Sequence, residues 1–144
     1  MKSYSVFTFH SSLFTKFMSA RIKILTLIYI LILVGIIFLA DVRGTNYFSF
    51  IRNVPFGDKI GHFLLMGMFS FLLNLALKAK IVQLWFFKYL LGSLIVVGLV
   101  TLEEFSQIFV RGRTFDLTDL VADYAGIFIF GEIARSICRK TIKN

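Results

Sequence analysis

The chain has 144 residues, of which 58% are hydrophobic and 17% charged, and its mean hydropathy is +0.83. Soluble domains average about 45–50% apolar and about 25% charged residues, so this composition excludes an ordinary soluble domain, and the single proline and apolar richness exclude a disordered one. The net charge of +8 would suggest nucleic acid as the partner of a soluble protein, but in a membrane protein it is first a topology signal.

Four apolar stretches come close to or exceed the about 20 helical residues that cross a hydrocarbon core. We predict membrane-spanning helices over residues 24–40, 60–77, 89–110 and 117–134. These runs lack the alternation of polar and apolar residues that strands of a membrane barrel show. The predicted fold is therefore all-α, a polytopic membrane protein built as a bundle of four transmembrane helices.

The residues before the first helix mix phenylalanines with Ser, Thr and Lys16, a composition typical of an interfacial segment. A signal peptide is the alternative, but its basic region would exceed twenty residues, and no A-x-A-like cleavage site follows. We divide the chain into a cytoplasmic or interfacial segment over residues 1–23, the four-helix domain over residues 24–134 and a basic cytoplasmic tail over residues 135–144.

Basic residues are distributed unequally between the two sides of the predicted bundle. Eleven of the 16 Lys and Arg lie on the side that holds both termini, so the positive-inside rule places the termini in the cytoplasm. Topology thus accounts for most of the positive charge, and we expect membrane lipids rather than nucleic acid as partners. Trp85 and Tyr89, on the cytoplasmic side, are predicted interface anchors.

Seven of the eight acidic residues lie at the opposite, extracytoplasmic face or in the helix turns beside it. An ionisable side chain within a span costs about 2.5–3.5 kcal/mol on insertion scales, so these groups are expected to be paired and to face the bundle interior. Only Glu132 lies at the cytoplasmic end, which argues against a polar path through the membrane. Helical spacing predicts one polar cluster with these members: Asp58, Lys59, His62, Glu104, Gln107, Arg113, Asp116, Asp119 and Asp123.

His62, at the start of the second predicted helix, and Glu104, at the end of the third, each have two interpretations. His62 either fixes its helix through a hydrogen bond to Asp58, four residues away, or acts as a proton donor and acceptor or metal ligand. Glu104 either bonds to Gln107, three residues away, or acts as a general base.

The acids of the fourth helix follow the spacing i, i+3, i+7, which puts them on one face. We predict that Asp116 caps this helix, and Gly126 on the same stripe is also structural. Asp119 and Asp123 either pair with Lys59 and Arg113 or bind a cation or substrate.

Three fragments in order, G-D-K-x-x-H-F from Gly57, E-x-x-Q-x-F from Glu104 and G-R-x-F-D-x-x-D-x-x-x-D-x-x-G from Gly112, carry a family resemblance. Over roughly residues 55–131 the chain resembles the VanZ-like family of small bacterial integral membrane proteins, whose founding member is associated with teicoplanin resistance. The resemblance implies a multi-pass protein of the bacterial cytoplasmic (inner) membrane and cell envelope. It implies no defined reaction.

The expected function is binding of an amphiphilic ligand, such as a lipid-linked wall precursor or a lipoglycopeptide, without catalysis. The expected ligand-binding residues are Asp58, Lys59, His62, Glu104, Gln107, Arg113, Asp119 and Asp123. We predict no resident metal or cofactor. An intramembrane enzyme is one alternative, with His62 or Glu104 as catalytic group and a divalent ion at Asp119 and Asp123. A structural or partner-binding protein is the other, and the oligomeric state stays open.

Overall fold

The computed structural model describes residues 4–43, 56–110 and 115–143, with side chains for residues 20–39, 56–110 and 115–140. Its elements, in chain order, are α1 (Tyr4–Arg43), α2 (Gly57–Ala76), β1 (Ile81–Leu84), β2 (Phe87–Leu90), α3 (Leu91–Ser106) and α4 (Leu117–Lys143). A single 3-10 turn, Gln107–Phe109, extends α3. The backbone of the predicted interfacial segment, from Tyr4 onward, belongs to α1.

Three helical stretches within the described ranges are long and apolar enough to cross a membrane: Ala20–Leu39, Gly57–Ala76 and Leu91–Phe109. They correspond to the first three predicted spans and support the prediction of a membrane protein. The fourth predicted span coincides with α4, which is 27 residues long. Its charged residues Asp119, Asp123 and Glu132 leave it outside the apolar set.

The helices α1 and α4 both contact α2 and run in opposite directions to each other. The Tyr29 hydroxyl of α1 donates to the Leu65 carbonyl of α2 at 2.9 Å, and the earlier Thr26 lies beside the later Leu72, so α1 and α2 are antiparallel. In contrast, α4 runs parallel to α2, because contacts between them advance together from their first turns to Ser70 and Ile127. The buried apolar core lies among these helices and comprises Leu33, Phe69, Val96, Val100, Leu120 and Ile127.

Small residues bring α2 and α4 into close contact. A Cβ added at Gly126 would lie 2.1 Å from the Phe63 carbonyl oxygen, and one at Gly67 would lie 2.8 Å from the Phe130 ring. Close approach of two helix backbones through small residues is a common packing mode in membranes. Gly126, predicted to be structural, therefore lies where the two backbones nearly touch.

Residues 81–90 correct the all-α prediction, although the protein is mostly helical. They form an antiparallel hairpin in which Ile81 pairs with Leu90 and Leu84 pairs with Phe87. β-Branched and aromatic residues favour strands, but the two-residue turn Trp85–Phe86 has none of the Asn-Gly or Asp-Gly signals that mark a hairpin in sequence. Trp85 takes a φ of 57°, in the left-handed region usually occupied by glycine.

Candidate functional site

The first turns of α2 and the start of α4 are joined by ion pairs. The Lys59 ammonium lies 2.9 Å from Asp116 Oδ2, contacts the Asp119 carboxylate and is 3.6 Å from Asp58 Oδ2. Because α2 and α4 are parallel, their N-terminal ends meet at one end of the molecule, which brings together residues almost 60 positions apart. The predicted pairing of Lys59 with Asp119 is therefore present.

His62 has a different partner from the one that local spacing suggested. Its Nδ1 lies 3.2 Å from Asp123 Oδ1, and its Nε2 lies 3.7 Å from Asp119 Oδ2. The structural interpretation of His62 required a hydrogen bond to Asp58, four residues earlier on the same helix. Asp58 is exposed instead. The imidazole therefore joins α2 to α4, and the Asp123 carboxylate that faces it is fully buried.

Glu104 connects the end of α3 to the beginning of α4. Its Oε1 accepts a hydrogen bond from the Asp116 backbone N–H at 2.9 Å, and its Oε2 accepts one from the Gln107 amide at 3.0 Å. The side chain is 1% exposed. With one donor on each oxygen, this buried carboxyl group has the geometry of a structural link, as the hydrogen-bonding interpretation of Glu104 and Gln107 predicts.

Asp116 caps α4. Its Oδ1 accepts hydrogen bonds from the Thr118 backbone N–H at 2.8 Å and from the Thr118 hydroxyl at 2.7 Å, the bonding pattern of an N-cap residue. The Lys59 ammonium, followed by the Thr118 donors, holds the pKa of the Asp116 carboxyl well below its usual range. Asp116 thus serves both the cap and the ion pair.

The cluster divides into two parts by exposure. We call Asp58, Lys59, His62 and Asp116 the open half, because their side chains are between 23% and 59% exposed. We call Glu104, Gln107 and Asp123 the buried half, since each is at most 5% exposed. Asp119, at 13%, lies between the two halves in exposure, and the His62 contact with Asp123 joins the halves. Arg113, a predicted ligand-binding residue, lies outside the described residues, as does Arg111.

Carboxyl groups dominate this site. Among the residues that the structure describes, five of them (Asp58, Glu104, Asp116, Asp119 and Asp123) accompany one ammonium and one imidazole. Since Lys59 already contacts Asp116 and Asp119, its ammonium is engaged by carboxylates of the cluster itself. The described part of the site is therefore better suited to hydrogen-bond donors and cationic groups than to a phosphate.

One part of the cluster also has the composition of a metal site. Ligand atoms of Asp58, His62 and Asp119 lie within 4.8 Å of one another. Asp123 faces Nδ1 of the same imidazole, and a carboxylate behind a ligating histidine is a frequent arrangement that fixes the ring and raises its basicity. Among the residues that the structure describes, these three side chains form the group placed to hold a divalent cation, a different set from the predicted Asp119 and Asp123.

A second polar cluster lies further along the helices and was not predicted as such. The Asn74 amide donates to the Ser93 hydroxyl at 2.9 Å and to the Ser70 carbonyl at 2.9 Å, while the Ser70 hydroxyl donates to the Ile127 carbonyl. Ser70 and Asn74 follow His62 at intervals of eight and four residues, a helical spacing that could have revealed this stripe.

Apolar residues separate the two clusters along the helices. Val96 and Val100 lie between Ser93 and Glu104 on α3, and all are buried. Ile127, which is fully buried, follows Asp123 by one turn on α4. The prediction that no polar path crosses the bundle rested on Glu132 standing almost alone. In the structure, the relevant feature is instead this apolar layer between two polar clusters.

No family model matches the chain, and neither does any characterised protein or solved structure. The VanZ-like resemblance rests on the motif residues themselves. The structure brings nine motif residues from outside the 111–114 segment to one end of α2, α3 and α4. These residues are Asp58, Lys59, His62, Glu104, Gln107, Asp116, Asp119, Asp123 and Gly126. Residues distant in sequence thus share one location in the fold, and the VanZ-like resemblance stays a prediction.

Proposed function

We propose that this chain is a VanZ-like, multi-pass protein of the bacterial cytoplasmic membrane that binds the polar head group of an amphiphilic ligand through the open half of its cluster. One observation carries the proposal. Asp58, Lys59 and His62 are partly exposed at the end of a candidate membrane span, and carboxyl groups at the start of α4 pair there with Lys59 and His62. Partly exposed ionisable groups beside a span are candidates for function, because their insertion is costly.

A fourth span, formed by α4, completes this proposal. Because α4 runs parallel to α2 and contacts it from Asp119 to Ile127, a membrane that encloses α2 also encloses this part of α4. The charged groups within the predicted span of α4 are paired, Asp119 and Asp123 with α2 and Glu132 with Arg135. Its outer surface is apolar, with these side chains between 45% and 62% exposed: Val121, Phe128, Ile129 and Ile133. The distribution of Lys and Arg then favours cytoplasmic termini and an extracytoplasmic polar cluster.

The excess of carboxyl groups favours a particular ligand chemistry. An amine or sugar hydroxyl on the ligand can donate hydrogen bonds to Asp58 and Asp119, whereas a phosphate would have to compete with them for Lys59. Both a lipid-linked wall precursor and a teicoplanin-type lipoglycopeptide present such donors on the same molecule as a long apolar chain. Of these, the resemblance to the VanZ-like family favours the lipoglycopeptide.

The test uses the exposed carboxylate of the cluster and a matched one elsewhere. Asp58→Asn removes one charge from the open half, and Glu132→Gln removes one from a carboxylate of similar exposure in the second half of α4, away from the cluster. We expect Asp58→Asn to weaken teicoplanin binding to the nanodisc-embedded protein by about 10-fold or more, since a charge-assisted hydrogen bond contributes about 1.5–3 kcal/mol. Glu132→Gln should bind like the unchanged protein. Equal affinity for all three proteins, or no binding by any, contradicts the proposed ligand.

An intramembrane enzyme is the second candidate, and the Asp58, His62 and Asp119 arrangement favours it. It requires that the purified protein bind Zn²⁺ or Mn²⁺, that His62→Ala abolish this binding, and that turnover of a lipid-linked substrate stop with a chelator. If His62 and Glu104 variants merely lower the amount of folded protein, without changing ligand binding or turnover per molecule, the cluster is structural only.

A further inference from the structure

The tip of the hairpin exposes four large apolar side chains in succession. Leu84, Trp85, Phe86 and Phe87 are 53%, 87%, 82% and 66% exposed. Scattered apolar side chains are normal on protein surfaces, but a contiguous group of this size marks a surface that binds a membrane or another protein. The tip lies at the opposite end of α2 from the polar cluster, so it is independent of the proposed ligand site.

The hairpin geometry extends this apolar tip along one face. Cross-strand partners share a face of the ribbon, so Leu84 and Phe87 lie on the same side as Val82 and Tyr89. The rings of Trp85 and Phe86 stack at the turn, with centroids 5.8 Å apart. Trp85 occupies a left-handed conformation that glycine adopts more easily.

The charges around the tip indicate which partner it fits. Lys78, Lys80 and Lys88 are all exposed, and the sequence has no acidic residue between Asp58 and Glu103. Moreover, the hairpin directly joins α2 to α3, two helices that are long and apolar enough to cross a membrane. It therefore begins at the membrane surface. Clustered lysines beside a membrane attract anionic lipid, and Trp and Tyr prefer the head-group region.

We propose that the hairpin docks on an anionic lipid leaflet, with the Trp85–Phe86 turn below the head groups and Lys80 and Lys88 against lipid phosphates. The hairpin is about 13 Å long at about 3.3 Å per residue, so a hairpin projecting straight away from the bilayer would hold Trp85 in water. Docking requires it to lie along or dip into the surface instead. A docked hairpin places the Trp85 indole among lipids, whereas a projecting hairpin places it in water.

Trp85 is the only tryptophan in the chain, so its fluorescence reports the tip alone. The full-length protein is reconstituted in phosphatidylcholine vesicles, with or without phosphatidylglycerol, and quenched by brominated acyl chains or by aqueous iodide. We expect strong quenching by brominated lipid, weak quenching by iodide and a blue-shifted emission. Strong iodide quenching without bromolipid quenching overturns the proposal and leaves a water-facing tip that fits a protein partner.

Two sets of variants calibrate depth and charge. Trp85→Phe combined with Leu64→Trp moves the probe to a half-exposed position on α2 and reports quenching within a span. Lys80→Gln with Lys88→Gln should lower quenching by brominated phosphatidylglycerol, relative to brominated phosphatidylcholine, by about fivefold per lysine. Arg139→Gln with Lys140→Gln makes the same charge change on α4 and should leave that ratio unchanged. If both double variants lower the ratio equally, the lysines of the hairpin do not select anionic lipid.

Discussion

Replacing Gly126 with alanine tests whether the close contact between α2 and α4 holds the polar cluster together. The new Cβ would lie 2.1 Å from the Phe63 carbonyl oxygen, so the two backbones have to separate by about 1 Å to restore an ordinary contact. Overpacking of this kind costs about 1–3 kcal/mol, and we expect the upper end because the neighbour is backbone. Alanine returns at most about 1 kcal/mol of helix propensity, which leaves a net destabilisation of about 2 kcal/mol.

The assay is reversible unfolding of the purified protein in mixed micelles titrated with dodecyl sulfate. Gly98→Ala is the matched control, because Gly98 is exposed on α3 and a Cβ there has no atom within 4 Å. It should leave the free energy of unfolding unchanged or raise it by up to about 1 kcal/mol. If Gly126→Ala is as stable as Gly98→Ala, the helices do not approach at this glycine and the geometry of the cluster rests on other contacts.

Three further outcomes follow from the same contacts. His62→Ala leaves the buried Asp123 carboxylate without its imidazole and should lower the free energy of unfolding by about 3–5 kcal/mol in the same assay. Adding Asp123→Ala should recover part of this loss. A double variant no more stable than His62→Ala alone would contradict the pairing. Ser70→Ala removes the hydrogen bond to the Ile127 carbonyl and should lower the free energy of unfolding by about 0.6–1.7 kcal/mol, whereas no change would mean that this bond is not formed in the membrane protein. Because the pKa of Asp116 is lower in the folded than in the unfolded protein, its ionised form stabilises the fold above about pH 4, and this effect disappears as pH falls through the folded-state pKa. Asp116→Asn should therefore lower Tm near pH 6 and the difference should narrow below about pH 4; a difference independent of pH would exclude the carboxylate as its cause.

The starts of α2 and α4 could be predicted from sequence because a charged or capping residue lies at each of them. The apolar run after Lys59 and the Asp116 cap before Leu117 both place helix starts within a few residues of those observed. The hairpin could not be predicted in the same way. Its strands are four residues long, and its turn is made by Trp85 and Phe86, which have none of the usual turn chemistry.

The membership of the cluster was predictable, whereas its pairing was not. Acids spaced at i, i+3 and i+7 on α4 indicate a common face, and a parallel α2 brings Lys59 to Asp119. However, spacing within one helix favoured Asp58 as the partner of His62. The actual partner, Asp123, depends on the register between α4 and α2, in which Gly126 lies against Phe63 and which no local pattern encodes.

The orientation of the two ends of α4 is the sharpest test of the four-span bundle with an extracytoplasmic cluster. In a Cys138→Ser background, Asp58→Cys reports the polar cluster, and Lys140→Cys reports the other end of α4; both positions are exposed. With a membrane-impermeant maleimide on intact cells, we predict labelling of Asp58→Cys at once and of Lys140→Cys only after permeabilisation. Labelling of both positions from the same side would show that α4 does not cross the membrane and would contradict the four-span bundle with an extracytoplasmic cluster.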